Sequence, residues 1–147
     1  TTFTRDIALG GNDFTKEVQK QMGNTFDEAE RLKTEMGLNS TQVIIMNDIL
    51  DTAKSSMANE ILKSINFFNS TYEGKEVKKI ILSGGTSLMA GMAQSIQATL
   101  NIPTEIMNPF QKAEVNKKSA DRELIDTLAP VFSVAFGLAL RKEKEGK

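Results

Sequence analysis

Between Lys78 and Met107 the hydrophobic pattern changes period twice within one short stretch, and this constrains the fold more than any other feature of the chain. Lys78 to Leu82 is short, apolar and β-branched, which suits a buried strand. Ser83-Gly84-Gly85-Thr86-Ser87 breaks it, and Leu88, Met92, Ile96 and Leu100 then recur at helical spacing. Ile102-Pro103-Thr104-Glu105-Ile106-Met107 reads as a second strand, closed by Asn108-Pro109. Strand, helix and strand in this order form a βαβ crossover, expected to be right-handed with parallel strands.

The flanking sequence supplies helices. Phe3 to Leu9 alternates apolar and polar residues before Gly10-Gly11, so it reads as a further strand entering a tight loop. Asn12 or Asp13 can cap a helix carrying Phe14, Val18 and Met22, which Gly23 stops. Thr25-Phe26-Asp27-Glu28 has the capping-box form, and its helix places Phe26, Ala29, Leu32 and Met36 on one face up to Gly37. From Ser40 or Thr41, apolar residues every four positions from Ile45 to Phe68 fit one long helix, or two joined near Ala53 to Ser56. Lys112 to Arg122 reads as a polar surface loop, and Pro130 opens a last helix. The expected architecture is α/β, a sheet flanked by helices, with residues 1–11 and 41–147 forming a sheet-containing subdomain and 12–40 a small helical insertion.

Composition removes several classes of function. The 147 residues contain neither cysteine nor histidine. Thiolate nucleophiles, Ser-His triads and the commonest zinc ligands are therefore excluded, and a metal would have to be a hard cation on carboxylates and phosphate. Net charge is -1 with basic residues scattered among acidic ones, which argues against nucleic acid as a partner. No apolar run reaches bilayer length. No catalytic pair of carboxylates stands out, and no metal site is assigned.

Two constellations could bind a ligand. The first is the Gly84-Gly85-Thr86 turn at the end of a strand. Glycine admits a ligand where a Cβ would collide, and a following helix N-terminus favours phosphate. The sequence has neither GxxxxGK[ST] nor GxGxxG, and a bare strand-to-helix turn fits the same residues. The second is Glu30-Arg31-Leu32-Lys33, where three-residue spacing puts Glu30 and Lys33 on one helix face. They could clamp a ribose or lie along adenine; a solvated ion pair is the bland alternative.

Taken in order, the pieces resemble the PilM family of type IV pilus assembly proteins, within the actin/Hsp70/FtsA superfamily. The matching stretches are Phe3-Thr4-Arg5-Asp6-Ile7 with Gly10-Gly11, Ala29-Glu30-x-x-Lys33, Ser64-Ile65-x-Phe67-Phe68, Ile81-Leu82-Ser83-Gly84-Gly85 and Gly91. Ile102-Pro103-Thr104-Glu105 with Asn108-Pro109-Phe110, and Ala135-Phe136-Gly137-Leu138-Ala139-Leu140, complete the series. The resemblance implies the second lobe of an actin-like, ribonuclease H-like ATPase fold with a mixed sheet. It implies an ATP-binding cytoplasmic adaptor in pilus assembly, with Gly84, Gly85 and Thr86 on the phosphate and sugar side and Glu30 and Lys33 on the base side.

The superfamily holds Mg²⁺ and phosphates with Asp-x-Gly loops, and this sequence has none. The ATP and Mg²⁺ site is thus expected to be incomplete in this chain and completed by a preceding lobe. That lobe would also carry the groove for the tail of a PilN-like inner-membrane protein, holding the adaptor at the membrane alongside other pilus platform components. The resemblance leaves self-association open. Two other functions fit the fold: an ATP-hydrolysing relative of FtsA, and an interaction module that has lost the nucleotide.

Overall fold

The computed structural model describes residues 1–32, 40–113 and 122–141. The chain divides into two compact units, Thr1–Lys78 with Ser95–Ile102, and Lys79–Gln94 with Pro103–Lys147.

The first unit is helical. Helix α1 spans Gly11–Met22, α2 Phe26–Leu32 and α3 Ser40–Thr71. Neither Asn12 nor Asp13 caps α1. Gly10 takes that place, its N–H donating to the Asp13 carboxylate at 2.9 Å, so Asp13 closes the first turn from inside the helix. Gly23, at φ 70°, ends α1 in the left-handed region, its N–H donating to the Gln19 carbonyl. The capping box at α2 forms as its sequence indicates. The Glu28 N–H donates to Thr25 Oγ1 at 3.3 Å, and the Thr25 N–H returns to the Glu28 carboxylate at 2.9 Å. The Thr25 N–H and then the Thr25 hydroxyl, both donating to the carboxylate, with Arg31 as a lesser cause, hold the Glu28 carboxyl below its usual range.

Helix α3 is one uninterrupted helix of 32 residues, without the bend that its sequence also allowed. Val18, Ala29, Met46 and Ile49 form the buried core where it meets α1 and α2, with Met22, Leu32, Ile45 and Leu50 packed around them. Met36 and Gly37 lie outside the described residues.

The expected strand at residues 3–9 does not form among the described residues. The segment runs along α3, fixed by side chains rather than by a ladder. The Phe3 ring lies 5.4 Å from that of Phe67, Arg5 pairs with Glu60 at 3.4 Å, and the Tyr72 hydroxyl donates to the Thr2 carbonyl at 3.1 Å. Alternation correctly indicates a segment with one apolar edge, but that edge meets a helix.

The second unit contains the sheet. Strands β1 (Ile80–Leu82) and β2 (Thr104–Ile106) pair in parallel, with Ile80 opposite Thr104 and Leu82 opposite Ile106. The crossover helix α4 (Met92–Leu100) buries Met92 and Ile96, and its residues are shared between the two units. Lys79 and Glu105 form an ion pair at 2.6 Å that ties the two strand segments together. β1 is less buried than its composition suggests, with Ile81 60% exposed.

The C-terminal segment is more broken than one helix opening at Pro130. It comprises α5 (Arg122–Leu128), a 3-10 turn over Ala129–Phe132 and α6 (Ser133–Ala139). Helix α5 begins where a loop ending at Arg122 was expected, and Arg122 makes an i,i+4 pair with Asp126 at 3.2 Å.

Candidate functional site

Because β1 and β2 are parallel, both leave the sheet at the same edge, where ligands gather in open α/β folds. Leu82 leads into Ser83-Gly84-Gly85, and Ile106 into Met107-Asn108-Pro109-Phe110. The Met107 N–H donates to the Leu82 carbonyl at 2.8 Å, so the ladder extends to the point where the strands end.

The turn after β1 does not pass straight into an α-helix. A four-residue 3-10 helix, Gly85–Leu88, comes first, and α4 begins only at Met92. So short a helix has little macrodipole, and any anion affinity must come from individual amides. Gly84 has φ 85° and ψ 174°, a conformation essentially reserved for glycine. Its N–H donates to the Pro130 carbonyl at 2.9 Å, and its own carbonyl accepts the buried Ser87 hydroxyl at 2.6 Å. The first hydrogen bond of the 3-10 helix runs from the Ser87 N–H to Gly84, so the amides of Gly85 and Thr86 lie ahead of it.

Gly85 differs from Gly84. The difference is in the backbone alone, since its φ is not positive, while at both glycines an added Cβ would meet no heavy atom within 4 Å. Neither backbone conformation nor packing among the described residues requires glycine there, and the space before it can admit a ligand. Thr86 is half-buried beside it.

The exit of β2 is fastened to the same C-terminal segment. Phe110 stacks edge-on against Phe136 at 4.9 Å and Phe132 at 6.0 Å, and the Phe110 N–H donates to Asn108 Oδ1 at 2.9 Å. The Asn-Pro-Phe motif therefore serves to anchor a strand end.

Glu30 lies in α2, in the first unit, and is exposed. The Thr15 hydroxyl, buried in α1, lies within reach of the Glu30 carboxylate and of the Gly11 carbonyl, so Glu30 helps to hold α1 against α2. Lys33 lies outside the described residues. Gly84, Gly85 and Thr86 come together in the second unit. Among the described residues no group of three or more Asp or Glu side chains is placed to hold a metal ion, and no helix is long and apolar enough to cross a membrane.

A separate open groove of about 400 Å³ lies in the first unit, lined by Phe3, Arg5, Ile7, Ile61, Ile65 and Phe68 among others. None of the expected site residues lines it. Ser83, Ser133 and the Pro130 carbonyl come together as partners of the Gly84 turn only in three dimensions, which the sequence does not reveal. The one local signal was Ser133 three residues after a proline, a spacing at which a hydroxyl can bond back to a carbonyl.

A family model described as type IV pilus assembly protein PilM matches residues 1–143. Among solved structures, the chain is similar to one from a PilM-PilN type IV pilus biogenesis complex, with a TM-score of 0.77 and 27% identity over 93% of this chain. The match covers 38% of that solved chain.

Proposed function

The chain belongs to the PilM family of type IV pilus assembly proteins, and on that premise we propose that it forms the nucleotide-facing part of an ATP-binding, actin-like adaptor in pilus assembly. The observation that carries this reading is the contrast between the two glycines. Gly84 is required by its positive φ, whereas at Gly85, exposed at the carboxyl edge of the sheet, neither backbone conformation nor a close neighbour calls for glycine. Close approach of a phosphate or sugar would supply the missing reason for a residue without a Cβ.

In this reading the Gly85 and Thr86 amides donate to the α-phosphate and sugar side of the nucleotide. For Glu30 and Lys33 the ribose and base role is carried over as what the family resemblance implies. Bound Mg-ATP supplies charge and contacts that favour one arrangement of an actin-like protein over another, to the extent that its affinity for the two differs. The chain contributes amides and shape rather than a general base. Its role is therefore a nucleotide-dependent adaptor, with the Mg²⁺ ligands outside this sequence, which has no Asp-x-Gly loop.

The solved relative is a complex of PilM with PilN, and for the whole protein a PilN-like partner is proposed in turn. That partner would hold the adaptor at the cytoplasmic face of the inner membrane. Titration of the intact protein with Mg-ATP, beside a Gly85→Asp variant, tests the nucleotide reading. The wild type should bind and the variant should lose binding, because a carboxylate would occupy the open space and repel phosphate. Equal affinity in the two proteins would remove the Gly-Gly turn from the site.

A further inference from the structure

Three donors converge on one backbone oxygen behind the Gly84-Gly85 turn. The Pro130 carbonyl accepts from the Gly84 N–H at 2.9 Å, from the Ser133 hydroxyl at 2.9 Å and from the Ser83 hydroxyl at 3.2 Å. Pro130 is buried within the 3-10 turn Ala129–Phe132, whose backbone conformation leaves the oxygen little freedom to follow the loop. Two of the donors, Ser83 and Gly84, belong to the turn; the third belongs to the first residue of α6.

We propose that Ser133, with Ser83, acts through the Pro130 carbonyl as a positioning residue for the nucleotide turn, fixing the direction in which the Gly85 and Thr86 amides point. This inference rests on the nucleotide reading above and extends it to residues with no expected ligand contact. A turn containing two glycines has large conformational freedom, and amides that must be ordered at the moment of binding lose affinity to that ordering. Gly84 is clamped from both sides, its N–H by Pro130 and its carbonyl by Ser87. That clamp converts a mobile pair of glycines into a preset cradle. The Ser133 hydroxyl gives the Pro130 oxygen a further partner and seats it at the junction between the 3-10 turn and α6.

The test uses the intact protein as wild type, Ser133→Ala, Ser133→Thr and the double variant Ser83→Ala/Ser133→Ala. Three quantities are read on each: Mg-ATP affinity at a temperature well below unfolding, the thermal midpoint, and hydrogen exchange of the Gly84 amide without nucleotide. A neutral hydrogen bond contributes about 1 kcal/mol net, so Ser133→Ala should bind Mg-ATP roughly fivefold more weakly, and the double variant, which loses two, up to roughly thirtyfold. Its Gly84 amide should exchange faster, and Ser133→Thr, which keeps the hydroxyl, should restore both.

A merely structural role would lower the thermal midpoint while leaving the folded protein's affinity and Gly84 exchange unchanged, and that pattern would overturn the proposal. If the double variant does not fold, the Ser133→Ala and Ser133→Thr pair decides by the same readouts. Wild-type protein that does not bind Mg-ATP would overturn the nucleotide reading itself. Unaltered Gly84 exchange in the variants, with wild-type binding intact, would overturn the positioning role alone.

Discussion

Around Ile49 the chain buries aliphatic side chains from three helices against one another, whereas around Gly84 it gathers hydrogen bonds on one carbonyl and leaves apolar side chains uncovered. In the first unit Val18 and Ala29 are fully buried, and Met46 and Ile49 nearly so. In the second, Val134 is 74% exposed, Ile81 60% and Leu138 58%. Burial is non-directional and tolerates small displacements; hydrogen bonds to a fixed oxygen specify direction. The helical unit therefore reads as the stable body and the sheet edge as the oriented part, and substitutions should separate the two.

The largest effect is expected in the helical core. Ile49→Ala removes a buried branched side chain and should cost about 2–5 kcal/mol in denaturant unfolding. A cost below about 1 kcal/mol would mean that α3 is not held by this core, and the contrast between the units would fail.

Next in size is a pair at the turn. Gly84→Ala forces a Cβ into a backbone conformation at φ 85° and ψ 174°, and should cost on the order of 1–3 kcal/mol. Gly85→Ala meets neither strain nor contact, so its stability should change by less than about 0.5 kcal/mol. Circular dichroism melts of the two variants check this directly. Equal losses would show that Gly85 is needed by the fold, and the reason for assigning it to a ligand would disappear.

Much of this was legible from the sequence, for reasons that particular elements make plain. The capping box at Thr25 and Glu28, the four-residue repeat along α3 and the parallel pairing of β1 with β2 depend on spacing within a short window, and all three are present. Residues 3–9 show where that logic ends. Their alternation signals one apolar edge, but whether a strand or the aromatic end of α3 covers it depends on residues some sixty positions away. Helix α5 was hidden because the polar run before it reads as loop, although Leu124, Ile125 and Leu128 keep helical spacing. The knot on Pro130 left little trace in sequence, since a backbone carbonyl carries no residue-specific signal and two of its three donors, Ser83 and Gly84, are far along the chain.

A smaller effect tests the cap of α2. Thr25→Ala removes the hydroxyl that accepts the Glu28 N–H and donates to its carboxylate, and should cost about 1 kcal/mol. The same interaction carries a pH dependence. The Glu28 carboxyl is lowered in the folded protein, first by the Thr25 N–H and then by its hydroxyl. Its contribution is therefore complete above the ordinary glutamate range and is lost as pH falls through the lowered folded value. Wild-type stability should decline in that acid window more steeply than that of Thr25→Ala. Parallel pH profiles for the two proteins would show that the box contributes nothing in solution.

The smallest expected effect bears most directly on the second unit. Val134 projects from α6 and is 74% exposed, so Val134→Ala removes little buried surface and should change unfolding free energy by less than about 0.5 kcal/mol. Ser133, one residue earlier, turns its hydroxyl to the Pro130 carbonyl at 2.9 Å, so α6 carries its structural duty on one side and bare apolar surface on the other. If Val134→Ala instead costs as much as Ile49→Ala, the exposed side of α6 must be covered by another surface under the conditions of the measurement. The second unit would then be held by burial as the first is, and the hydrogen bonds at Pro130 would orient the turn without also having to keep α6 in place.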